Sequence, residues 1–160
     1  MKLRFLTLTI LFYFISCQTD KTTTIEGDLY FKLIKFPSFH EASDSLIQKI
    51  ETDIKNVNEN KMDKQNKITN DYLKFLSKEK LLKNPYVSLR KDNGEIVTVY
   101  LDKINYDQLK KYDYNKLISE NKKVRIKAEV TELKFDTLKI YNVDGKISVE
   151  KLDGKTYWKK

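Results

Sequence analysis

His40 is the single imidazole of this 160-residue chain, and Ser38, Glu41 and Asp44 stand close to it in sequence. Nucleophile, base and carboxylate are the parts of a hydrolytic triad, but a triad is assembled in space, not by sequence adjacency. Ser38 also lacks the glycines of a nucleophile elbow. Read locally, His40 is a surface loop residue ahead of a helix cap, and no catalytic residue is expected. The acidic pairs Asp102 with Asp107 and Glu129 with Glu132 supply the residue type that glycoside cleavage needs. That chemistry, however, requires two carboxyl groups at a set separation across a cleft, and Glu129 alternates with apolar neighbours as a solvated strand face does. The four glycines, Gly27, Gly94, Gly145 and Gly154, are too scattered for a dinucleotide or phosphate loop. They fall where turns or strand starts need them. One His and one Cys rule out a zinc site of clustered His and Cys, and there is no calcium-loop pattern. No cofactor and no metal is expected.

The connector 102–121 is richer. Tyr106, Tyr112 and Tyr114 are interleaved there with Lys110, Lys111 and Lys116. A tyrosine offers a flat apolar face with a polar tip, and beside lysine it suits sugars, peptides or an anionic polymer. The competing reading packs these rings onto a sheet. The partner-binding patch expected on the first reading is Lys111, Tyr112 and Tyr114.

The chain carries 31 Lys and Arg against 23 Asp and Glu. Beyond the first sixteen residues only Arg90 and Arg125 are arginine, the residue best suited to bidentate phosphate and base contacts. Nucleic acid is therefore not an expected partner; the charge reads as solvation, with some attraction to anionic envelope polymers.

These side chains must be positioned by the elements around them. Residues 28–36 (DLYFKLIKF) alternate as a strand that Pro37 ends. Ser43 or Asp44 can cap a helix with Leu46, Ile47, Ile50, Ile54 and Val57 on one face. After the Asn-rich 56–60, a second helix over about 62–82 has Ile68, Tyr72, Phe75 and Leu76 at helical spacing, with Asn84-Pro85 as its stop. Asn93-Gly94 between 86–90 and 95–101 signals a hairpin with a type I′ turn. Residues 104–118 form a helical or irregular connector. Residues 123–133, 138–143 and 146–152 read as strands, and Asp153-Gly154 as a last turn before Thr156-Tyr157-Trp158. The fold class is α+β: an N-terminal strand and helix pair, then an antiparallel sheet. The hairpin–connector–hairpin order fits an OB-like barrel, and an open sheet with one wet face fits the alternation as well.

The first sixteen residues stand apart. Lys2 and Arg4 precede an apolar run from Phe5 to Ile15, too short for the roughly 20 residues that span a bilayer. That is the composition of a signal peptide. Its end, Phe14-Ile15-Ser16-Cys17, resembles the lipobox of bacterial lipoproteins, with Phe14 in place of the usual Leu. The resemblance implies that Cys17 is lipidated and becomes the first residue of the mature chain. Residues 17–24 would be a polar tether and 25–160 one domain. The pieces IEGDLYFKLIKF and KLDGKTYWKK also resemble small lipoproteins of the Bacteroidota that have no assigned function. Together these features lead to the expectation of a membrane-anchored envelope protein with a non-enzymatic domain that binds a protein or polysaccharide. The alternative is a small hydrolase of envelope polymers.

Overall fold

The computed structural model describes residues 22–30 and 39–154, apart from the side chain of Tyr114. The segment 1–16, Cys17, residues 31–38 with Pro37 and Ser38, and residues 156–158 lie outside the described residues. Among the described residues six strands form the sheet: β1 (Thr22–Tyr30), β2 (Tyr86–Arg90), β3 (Ile96–Tyr100), β4 (Lys122–Phe135), β5 (Leu138–Val143) and β6 (Ser148–Asp153). They run β1-β2-β3-β5-β4, and β4 pairs back onto β1 from Thr22↔Thr131 to Asp28↔Arg125, which closes a five-stranded barrel. The α+β class and the OB-like closure both hold. β4 achieves this through its length. One edge lies on β1, while the other is shared by β5, through 130–135, and β6, through 122–127.

The expected purely antiparallel sheet needs one correction, because β3 and β5 pair in parallel. Between them the chain forms the connector and β4, and a crossover of that length is what a parallel neighbour requires. The first strand is also displaced. It begins at Thr22, so Thr22 to Thr24, read as tether, are paired with β4; β-branched threonine suits that pleated edge. Gly27 is neither at a turn nor at a strand start. A Cβ there would lie 2.9 Å from the Arg90 carbonyl oxygen, so glycine permits the close approach of β1 to β2.

Alternation divides the sheet into two faces. Val97, Val99, Val124, Ile126, Ala128 and Val130 fill the barrel. Tyr100 and Ile140 point the other way and are covered by α1 (Asp44–Asn56) and α2 (Lys64–Lys78) through Tyr72, Leu76, Leu81 and Leu82. Ser43 Oγ accepts from the Leu46 amide at 3.3 Å and caps α1, as expected; Asp63 does the same for α2 from Asn66 at 2.8 Å. A short 3-10 turn (Glu59–Lys61) joins the pair, and Lys74 ion-pairs with Glu59 across it. Ile54 is buried, whereas Leu46, Val57 and Ile68, expected on the packed faces, are exposed.

α2 stops before Asn84-Pro85. Lys80 takes a left-handed φ of 59°, its amide bonds to Ser77 O, and the Leu81 amide bonds to Leu76 O at 2.8 Å. This is a Schellman ending, sealed by Leu76 and Leu81 in one cluster. The hairpin turn differs as well. Lys91 and Glu95 pair across a three-residue loop in which Gly94 alone has positive φ, so the turn is a type I turn with a glycine bulge, not type I′. The connector is α3 (Lys103–Leu109) and α4 (Tyr114–Ser119). Among the described residues no helix is long and apolar enough to cross a membrane.

Candidate functional site

The connector is held in place at both ends. Asp102 Oδ1 accepts from the Asn105 amide at 2.7 Å and caps α3. Asn105 is buried; its Nδ2 donates to Gly145 O at 2.6 Å and its Oδ1 accepts from the Ile147 amide at 3.1 Å, which fastens α3 to the loop between β5 and β6. Asp113 caps α4 by accepting from the Lys116 amide at 2.8 Å. Leu109 and Leu117 enter the barrel core, and Tyr106 and Tyr112 pack half-buried against the same core. Each ring thus has one side on the core and one side on a surface hollow.

The first hollow, about 360 Å³, is lined by His40, Glu41, Lys83, Pro85, Lys103, Tyr106, Asp107 and Lys110. Helical spacing explains its α3 wall: 103, 106, 107 and 110 share one face. The His40 ring meets the Tyr106 ring edge-on, with centroids 5.2 Å apart, and His40 Nε2 lies 3.7 Å from Glu41 Oε1. Lys83 pairs with Asp44 at 2.6 Å and Lys110 with Asp107 at 2.8 Å. The hydrogen bond from Lys110 holds the Asp107 carboxyl below its ordinary range and raises the lysine. Lys103 has no ion pair among the described residues.

The second hollow, about 210 Å³, is lined by Lys111, Tyr112, Asp113, Lys116, Leu117 and Lys151. Lys111 Nζ sits 5.3 Å from the Tyr112 ring centroid, within cation–π range. Glu120 takes Lys151 at 2.5 Å and Lys116 at 4.0 Å, and the hydrogen bond from Lys151 lowers its carboxyl. Lys111, like Lys103, has no ion pair among the described residues. A third hollow, about 220 Å³, lies on the sheet side between Tyr72 of α2 and the strands around Ile96, Thr98, Leu138 and Ile140.

Of the expected patch, Lys111 and Tyr112 come together. Tyr114 opens α4, and its side chain lies outside the described residues; so does Cys17. The acidic pairs separate into structural tasks. Asp102 caps a helix and Asp107 pairs with Lys110, while Glu129 is exposed opposite Thr24 and Glu132 sits half-buried opposite Tyr141. Sequence reasoning missed the first hollow. It set His40 aside as a loop residue and did not bring Lys83, Pro85 and Lys103 to the same place. The available signal was the placing of Lys103, Tyr106 and Lys110 on one helical face; the contribution of 39–42 is visible only in the fold. Among the described residues no three of His, Cys, Asp and Glu come together to hold a metal ion. Compared with family models, with curated proteins and with solved structures, the chain matches none.

Proposed function

We propose that this protein is a lipid-anchored envelope lipoprotein whose barrel domain binds an extended partner, a protein or a polysaccharide, without transforming it. The observation that supports this reading is the repeated composition of the connector face. Two hollows are each floored by one tyrosine and rimmed by three lysines, and chain neighbours Lys110 and Lys111 line one apiece. Ile104, 70% exposed, is an apolar side chain on the same helix, α3.

Two features favour binding over hydrolysis. Among the described residues, which do not include Ser38, the lining of the first hollow has no Ser, Thr or Cys that His40 could activate. Its Asp107 is held ionised by Lys110, whereas the acid of glycoside cleavage needs a raised carboxyl pKa. The same geometry disfavours nucleic acid. OB barrels take oligonucleotides on the β2–β3 face, but here Tyr100 on that side is buried against Tyr72 of α2 and offers no ring for bases to stack on.

Co-sedimentation of the purified chain with envelope fragments tests the reading. The wild type should pellet with the fragments, and Lys103→Ala/Lys111→Ala should stay mostly in the supernatant while melting within about 2 °C of it, as surface substitutions do. Equal pelleting of both proteins would remove the connector from the binding role.

A further inference from the structure

We infer that the connector face selects a carboxylated carbohydrate, a chain of sugar-acid units, which it holds by one lysine per hollow against a tyrosine ring. This deepens the proposed function and rests on the connector being the binding face. The charge argument begins with the protein's own carboxylates. Asp44 pairs with Lys83, Asp107 pairs with Lys110, and the single carboxylate of Glu120 is shared between Lys151 at 2.5 Å and Lys116 at 4.0 Å. Lys103 and Lys111, one in each hollow, form no ion pair among the described residues, although Lys103 stands near enough to Asp107 to help lower its carboxyl, and Glu41, which faces His40, also lines the first hollow. A ligand carboxylate would give each of these two lysines the ion pair it lacks.

The shape argument identifies what bears that charge. In the first hollow the Tyr106 ring meets His40 edge-on at an interplanar angle of 62°, with Pro85 on the lining, so a flat unit finds two apolar walls at a steep angle. A pyranose ring has C–H faces that pack on such rings while its hydroxyls remain wet. The volume of about 360 Å³ lies within the range of small-ligand pockets, about 300–1,000 Å³, at its lower end. An acidic peptide is less well served. This hollow is built from a turn, the loop before β2 and one helix, so an extended peptide would find no strand edge to pair with. Lysine in place of arginine fits a point contact to a carboxylate and not a bidentate phosphate clamp.

The test is calorimetric titration of the full chain in detergent with three probes: oligogalacturonate, the same oligomer with its carboxyls methyl-esterified, and polyglutamate of equal charge. Oligogalacturonate should bind and the ester should bind at least about tenfold more weakly, the effect of one lost charge-assisted contact of about 1.4 kcal/mol. Lys103→Ala and Lys111→Ala should each weaken the acid form severalfold and leave the ester unchanged, with Lys139→Ala, at the sheet-side hollow, as the neutral control. Equal affinity for acid and ester would overturn recognition by charge. Polyglutamate binding as well as the sugar would replace the carbohydrate with an acidic peptide. If none of the three binds although Lys103→Ala/Lys111→Ala abolishes envelope pelleting, the ligand class is wrong while the connector remains the binding face. If none binds and pelleting is also unaffected by the double substitution, both fall.

Discussion

Asp28 is fully buried, and it lies between the Arg125 guanidinium, whose Nε donates at 2.8 Å, and the Lys123 ammonium at 3.1 Å. Arg125 also reaches Glu26 and Asp92, so one side chain ties β1, β4 and the hairpin turn. Removing one member of such a buried pair costs about 3–5 kcal/mol; the lower end applies because both cations keep some solvent exposure. Asp28→Ala should therefore lower the melting temperature by roughly 6–12 °C, at about 2–4 °C per kcal/mol for a chain of this size, and an unchanged melt would refute the pairing. The neighbouring glycine gives a sharper contrast. Gly27→Ala sets a methyl group against the Arg90 carbonyl and should destabilise clearly, whereas Gly145→Ala meets nothing within 4 Å and should stay within about 0.5 kcal/mol. None of this was legible in the sequence. Asp28 reads as a strand start, and its partners lie 95 and 97 residues away, brought together by a strand register that no local pattern encodes.

The helix pair brings a second group of buried polar atoms onto the sheet. Tyr72 and Tyr100 share a hydroxyl–hydroxyl hydrogen bond of 2.8 Å, and the Tyr86 ring lies 5.4 Å from that of Tyr100. Burial raises all three phenols, Tyr86 to about 12 from an ordinary 10.0. A raised folded-state pKa leaves stability intact below the unfolded value and removes it as pH climbs. Stability should hold to about pH 10 and then fall between 10 and 12 by about 1.4 kcal/mol per pH unit for each tyrosine held neutral. Denaturant melts of Tyr86→Phe should show a shallower alkaline loss; an identical slope would contradict the burial argument. On α2, Leu76→Ala should cost about 2–5 kcal/mol and Ile68→Ala little, since the first is 2% exposed and the second 41%. The helical period marked both residues, because periodicity shows which way a face points and not where the packing beneath it ends. The stop at Lys80 was illegible for another reason: a lysine occupies the left-handed position that glycine usually announces.

At the scale of the molecule, the strands, their order along the chain and the connector could be read from alternation and turn residues, because those signals are local. The hairpin–connector–hairpin order pointed to a barrel beside an open sheet, but the pairings that close it could not be read, since they join β1 with β4 about a hundred residues later and set β3 parallel to β5. The connector's tyrosines and lysines were legible as a cluster, but its two hollows were not, because His40, Lys83 and Lys151 reach them from other elements. The proposed anchor completes the account: multiple acyl chains on Cys17 would hold the domain at a membrane, where one chain alone binds marginally. Cys17→Ser should move the protein to the soluble fraction and abolish fatty-acid labelling, and equal membrane retention would count against lipidation. The central claim is that the connector face meets the partner, and photo-crosslinking in intact cells measures it most directly. A photoreactive residue at Ile104, exposed on α3, should give a defined adduct with an envelope component, and the same probe at Ile96, exposed on the sheet side, should not. Adducts from position 96 with none from position 104 would contradict the account.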